Sequence, residues 1–126
     1  MVFFIPFGKR RPPVSWSAEA RALFTRIADE LDNQPEVRGG IQRTGKLTVR
    51  PMLFVRRQLV IAGFEDGIAV RLADEDKGRA LQTLPGRELG KRDPSPMRGM
   101  ISIPWSAHDR WQEFMQVAVN SALGAA

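Results

Sequence analysis

Between residues 51 and 72 the chain reads PMLFVRRQLVIAGFEDGIAVRL. Apolar clusters at Leu53, Phe54 and Val55, at Leu59, Val60 and Ile61, and at Ile68, Ala69, Val70 and Leu72 are separated by two short polar stretches. β-branched and aromatic residues in runs this short, bounded by turn-forming residues, predict three strands joined by two hairpins. Glu65-Asp66-Gly67 carries the stronger turn chemistry, because glycine accepts positive φ and aspartate can bond its own backbone. The Arg56-Arg57-Gln58 bend has no comparable local signal.

Helical spacing governs two other stretches. After Pro12-Pro13, Ser17 is placed to cap a helix with Leu23, Phe24, Ile27, Ala28 and Leu31 on one face, ending near residues 32–35. Gly39-Gly40 then offers a flexible entry to an early strand over residues 41–49, turned near Gly45-Lys46. Asp74 is the N-cap expected for a short middle helix, with Glu75 and Asp76 where a helix start favours anions and Ala80, Leu81 and Leu84 on its buried side. Pro85-Gly86 stops it, residues 87–96 read as a mobile surface loop, and residues 97–103 predict a last strand ended by Pro104. Ser106 with Asp109 three residues on resembles a capping box for a terminal helix whose stripe is Trp111, Phe114, Met115, Ala118 and Ala122.

These elements predict an α+β fold: a single domain in which an antiparallel β-sheet carries an N-terminal helix, a short middle helix and a C-terminal helix. A length of 126 residues suits one core. No repeat or interdomain linker divides it, and residues 1–15 read as a flexible apolar and basic arm ahead of a domain spanning 16–126. In MVFFIPFGKRRPP the apolar run precedes the charge, the reverse of a signal peptide, and no segment approaches the roughly 20 apolar residues of a membrane span. With no cysteine, disulfides and thiolate chemistry are excluded. A cytoplasmic protein without a membrane partner is expected.

Charge changes the picture more than composition does. The net charge is +5, and Arg38, Arg43, Lys46, Arg50, Arg56 and Arg57 occur between residues 37 and 64 without one acidic residue. Such a segment attracts polyanions. Catalytic patterns are missing by contrast. The one histidine, His108, stands where a helix start disfavours imidazolium, and one histidine without cysteine cannot build a transition-metal site. Asp74-Glu75-Asp76 lacks the spaced ligands of a calcium loop, and Gly86 to Lys91 has three residues between its glycines and Arg92 where a phosphate loop needs Ser or Thr. No enzyme, metal or cofactor is expected.

The leading helix ending in Pro35-Glu36-Val37, the hairpin PMLFVRRQLVIAGF, the strand DGIAVRL, the short helix closing at Leu84-Pro85-Gly86 and the strand MRGMISIP before the terminal helix are landmarks. Over roughly residues 18–122 they resemble the small bacterial proteins built like the TfoX N-terminal domain and its YjbR-like relatives. The resemblance implies an antiparallel sheet with helices at its face and ends, in a family without an established enzymatic activity, some of whose members look like regulators. It transfers no functional residue. Where many relatives bend through Asp-Gly-Lys, this chain has Arg56-Arg57-Gln58, and the apolar arm lies outside the resemblance.

Basic side chains neutralise phosphates through charge-assisted bonds, so Arg43, Lys46, Arg50, Arg56, Arg57, Lys91 and Arg92 are the residues expected to contact nucleic acid, with Lys9-Arg10-Arg11 on the arm adding to them. Two alternatives stand beside this. The basic surface can simply be solvated, or Phe3, Phe4 and Phe7 with an open sheet edge can serve self-association or capture of another protein. No basic–aromatic alternation marks a base-stacking platform, and Trp105 and Trp111 read as core or interface packing.

Overall fold

A computed structural model of the chain describes residues 16–31, 37–44 and 48–124, giving the backbone alone for 38–44 and 48–50. The expected arm, the end of the first helix and the Gly45-Lys46 turn lie outside the described residues. Helix α1 (Ala18–Leu31) leads into strands β1 (Val37–Thr44), β2 (Thr48–Val55), β3 (Gln58–Phe64) and β4 (Gly67–Val70), then α2 (Asp74–Thr83), β5 (Arg87–Glu88), β6 (Ile101–Ile103) and α3 (Trp111–Gly124). All pairings are antiparallel and the six strands lie in the order β1-β2-β3-β4-β6-β5. The α+β architecture expected from the sequence is the one found.

Two apolar layers hold the sheet. On one face Phe24, Ile27 and Leu31 of α1 and Trp111, Phe114 and Met115 of α3 share a core with Leu53, Val55, Ile61 and Ile68. Among the described residues the other face carries no α-helix. There Leu59, Ala62 and Ala69 are covered by Leu89, Met97 and Met100, leaving Met52, Phe54 and Phe64 half-buried at the margin. Alternation alone would send Val60 and Ile61 to opposite faces, yet both enter the helix-side core. The register explains it, slipping between Leu53↔Ile61 and Phe54↔Leu59 so that Val60 is the extra residue of a β-bulge.

Ser17 caps α1 as expected, its Oγ accepting from the Ala20 N–H at 3.0 Å. Several other expectations are corrected. Gly39 and Gly40 are paired residues inside β1, opposite Leu53 and Met52, rather than an entry before it. Pro51 is tolerated within β2 because pairing with β3 begins only at Met52. The N-cap of α2 is Ala73, with no side-chain cap bond, so Asp74 is its first helical residue. Leu81 is 40% exposed, and Ala80 and Leu84 alone supply the buried side.

The last strand is shorter than expected: Ser95–Met97 is a 3₁₀ turn, and only Ile101–Ile103 pair. Nor does a Ser106–Asp109 box start α3. A 3₁₀ segment, Trp105–Arg110, kinked at Ala107, precedes it without a side-chain cap. Its entry is set by contacts distant in sequence, with Asp66 Oδ1 accepting from the Trp105 N–H at 3.4 Å.

Turn chemistry assigns Gly67 a positive φ, but Glu65 takes that role, at 53°, in the two-residue turn between Phe64 and Gly67. Gly67 serves close packing instead. A Cβ there would lie 2.1 Å from the Ile103 carbonyl oxygen and 2.8 Å from the Pro104 Cα. The same carbonyl-rich corner anchors the start of the domain, where Trp16 Nε1 donates to the Gly67 carbonyl at 2.9 Å.

Candidate nucleic-acid interface

Strand direction sorts the basic residues. β2 runs up to the Arg56-Arg57 turn, β3 runs down from it, β4 returns to the same end at Val70, and β5 and β6 are joined at that end by residues 89–100. Arg56 and Arg57 therefore form the turn at one end of the sheet, and the loop that carries Lys91 and Arg92 leaves the sheet at that end. Its Asp93 reaches back to Arg87, whose guanidinium lies by the Phe64 ring. Arg43 and Arg50 lie toward the opposite end of β1 and β2, with Arg50 about 20 Å along the strand from Arg56. Lys46 lies outside the described residues. The expected set is thus divided, with Arg43 and Arg50 away from the Arg56-Arg57 turn.

The turn itself is unusual. Val55 pairs with Gln58, which leaves a two-residue loop in which Arg56 and Arg57 have φ of 50° and 73°. Positive φ at both central positions is the type I′ pattern that matches strand twist and normally selects Asn-Gly. Two arginines bear the steric penalty of Cβ in that region, and both are exposed. Nothing in the local sequence announced it.

The expected mobile loop is a short strand followed by a cross-tied segment. The Leu89 N–H donates to the Met100 carbonyl and the Gly99 N–H to the Leu89 carbonyl, each at 2.8 Å. Inside, Asp93 accepts from Arg87 at 3.1 and 3.2 Å and from the Gly90 N–H at 2.7 Å. The Arg87 guanidinium first, then the Gly90 N–H, hold the Asp93 carboxyl below its usual range, and Asp93 raises Arg87 in return. Arg98 donates to the Asp93 and Lys91 carbonyls at 3.3 and 3.1 Å.

Arg71, which sequence reasoning missed, fastens this segment to the turn. Its N–H donates to the Val60 carbonyl at 2.8 Å and its Nε to the Leu59 carbonyl at 2.9 Å, satisfying the bulge. Its Nη2 reaches the Pro96 carbonyl at 2.8 Å. One guanidinium thereby spans from Leu59, two residues past Arg57, to the loop. Burial lowers the Arg71 pKa. No sequence signal could have found it, because its partners lie 12 and 25 residues away.

The side chains of Arg57, Lys91 and Arg92 make no hydrogen bond or ion pair with a described residue and are exposed. At this end they face acids that are partly engaged already: Asp93 with Arg87, and Glu88 with Lys77 Nζ at 3.0 Å. The exposed Asp74 and Glu75 begin α2 nearby. Basic character is therefore concentrated on the turn and loop rather than spread over the whole end.

Other candidates are structural. His108 stacks on Trp105 at 4.0 Å, and in the Nδ1–H tautomer it donates to the Trp105 carbonyl at 2.9 Å. Trp111 is fully buried and Trp105 packs edge-on against it at 5.5 Å. A pocket of about 140 Å³ lies between β3, the start of α2 and the end of α3, lined in part by Gln58, Arg71 and Ser121. It is smaller than the roughly 300–1,000 Å³ of small-molecule sites. Among the described residues no group of three His, Cys, Asp or Glu is arranged to hold a metal ion, and no helix is long and apolar enough to cross a membrane. No protein-family model, curated protein or solved structure matches the chain.

Proposed function

We propose that this chain is a non-enzymatic, cytoplasmic regulatory domain that binds nucleic acid through the Arg56-Arg57 turn and the loop bearing Lys91 and Arg92. The carrying observation is the two-residue turn, in which two exposed arginines occupy positive φ where Asn-Gly would fit with less strain. Strain retained at a solvent-exposed tip points to use of the side chains it projects. The tied loop supports the same reading by holding a segment on which Lys91 and Arg92 are exposed and available to a phosphate backbone. Kinship with the TfoX N-terminal and YjbR-like proteins belongs to the proposal and agrees with a regulatory role.

Fluorescence anisotropy with labelled DNA at graded salt tests it. Arg56→Ala/Arg57→Ala and Lys91→Ala/Arg92→Ala should each weaken binding and flatten its salt dependence, with the slope falling by about 0.9 for every phosphate that is no longer neutralised. Arg21→Ala/Arg26→Ala, on the exposed side of α1, should change little. Equal losses from both ends of the molecule would indicate diffuse attraction by net charge. No binding at low salt would overturn the proposal.

A second reading has one observation in its favour: Met52, Phe54 and Phe64 leave the helix-free face partly open, as a protein-interaction or self-association module would require.

A further inference from the structure

Among the described residues, α-helices cover one face of the sheet and a short tied segment covers part of the other. On that second face Phe54 and Met52 are alternate residues of β2, Met52 pairs with Ala62, and Phe64 follows Ala62 by two on β3. The half-buried side chains thus form a diagonal row, with the two phenyl rings about 13 Å apart. That separation lets each ring meet its own base.

The frame of this row is basic at the Phe54 end and of mixed charge at the Phe64 end, where Glu65 and Asp66 follow Phe64 and Glu65 acts on Arg87. Arg56-Arg57 stand beyond Phe54 at one end, and the Arg87 guanidinium lies 5.8 Å from the centre of the Phe64 ring. Arg87 is fixed there by Asp93, and Lys91 and Arg92 directly precede Asp93 on the loop. The β1 register sets the backbone of Arg38 opposite Phe54. No acidic residue occurs in β1, β2 or β3. An apolar groove for a protein strand needs no such surround; a polyanion with exposed bases matches it.

We infer that the helix-free face binds single-stranded nucleic acid, with bases stacked on Phe54 and Phe64 and phosphates held by the basic turn and loop. This rests on the nucleic-acid reading above and narrows it, because duplex bases are already stacked on each other and offer no free ring to a sheet face. The stacking surface is invisible as a sequence alternation, since Phe54 and Phe64 belong to different strands and the flanking arginines to a turn and a loop.

The test compares oligothymidylate and oligouridylate of about 15 nucleotides with a duplex of the same length, each labelled, binding to the full chain. Phe54→Leu and Phe64→Leu keep apolar cover but remove the rings. Each should lower single-strand affinity about tenfold and leave duplex affinity unchanged, whereas Arg56→Ala/Arg57→Ala should lower both. Iodouracil-substituted oligouridylate cross-linked to the unaltered chain should place adducts on Phe54 or Phe64, a readout that survives if a Leu variant fails to fold.

Equal affinity for single strand and duplex, with the Leu variants unchanged or adducts only elsewhere, would overturn this inference and leave the basic-end reading standing. No binding to any probe would overturn both. A concentration-dependent dimer dissociated by the Leu variants would assign the face to a second copy and overturn the stacking.

Discussion

Replacing Arg56-Arg57 with Asn-Gly separates what the turn does for folding from what it does for binding. The left-handed region costs an L-residue about 1 kcal/mol or more, and φ of 50° and 73° place both arginines in it. Asn relieves part of that strain, and Gly relieves its share while adding unfolded-chain freedom worth about 0.5–1 kcal/mol. Arg56 also has an interaction in the fold that the substitution would remove. The net expectation is a gain of about 1 kcal/mol, or about 4 °C in Tm for a domain of this size. Phosphate binding runs the other way, with the slope of log affinity against log salt falling by about 1.8 on duplex and about 1.4 on single strand. Differential scanning calorimetry and anisotropy titration read the two effects on one variant. An unchanged or lower Tm would refute the strain; an unchanged salt slope would refute the phosphate binding.

Gly67→Ala should destabilise by about 3 kcal/mol or prevent folding, because its Cβ would meet backbone of β6 that cannot rotate away; a urea midpoint equal to that of the unaltered chain would contradict this close approach. Arg71→Ala should cost about 1–3 kcal/mol in urea unfolding by stranding the Leu59 and Pro96 carbonyls, and faster hydrogen exchange at residues 89–100 should accompany it. If exchange there is unaltered, Arg71 does not hold the loop. Arg110 first and then Arg79 hold the Glu113 carboxyl below its usual range, as Arg87 does Asp93. Folded pKa values below the unfolded ones mean that stability from these pairs is complete above the ordinary carboxylate range and is lost as pH falls through the lowered values. Urea midpoints measured from neutral to acid pH should therefore fall less steeply in Asp93→Asn/Glu113→Gln than in the unaltered chain; parallel curves would reject the assignment.

The strands around Leu53 to Val55, Leu59 to Ile61 and Ile68 to Val70 were legible because each is a short β-favouring run bounded by polar residues, and α1 and α3 because their apolar positions recur at helical spacing. Ser17 was legible for the same local reason. Turn chemistry misled at Gly67, where glycine answers to Ile103 rather than to its own φ. Residues 87–100 have no periodicity, so nothing along the chain could reveal that Asp93 and Arg71 tie them down. Ser106 and Asp109 have capping spacing, but Pro104, the Trp105–His108 stack and Asp66 set the start of α3 instead.

The candidate interface divides along the same line. That the chain is basic, free of acids between residues 37 and 64 and bent at Arg56-Arg57 follows from residue order, since charge and hydrophobic alternation are local properties. Which charges meet is not local. Strand direction sends Arg43 and Arg50 away from the bend while Arg71 ties the loop at Pro96 to β3 beside it, and the pairing of β2 with β3 sets Phe54 and Phe64 on one partly covered face. Such meetings join residues far apart in sequence, so they exist only once packing has closed the sheet.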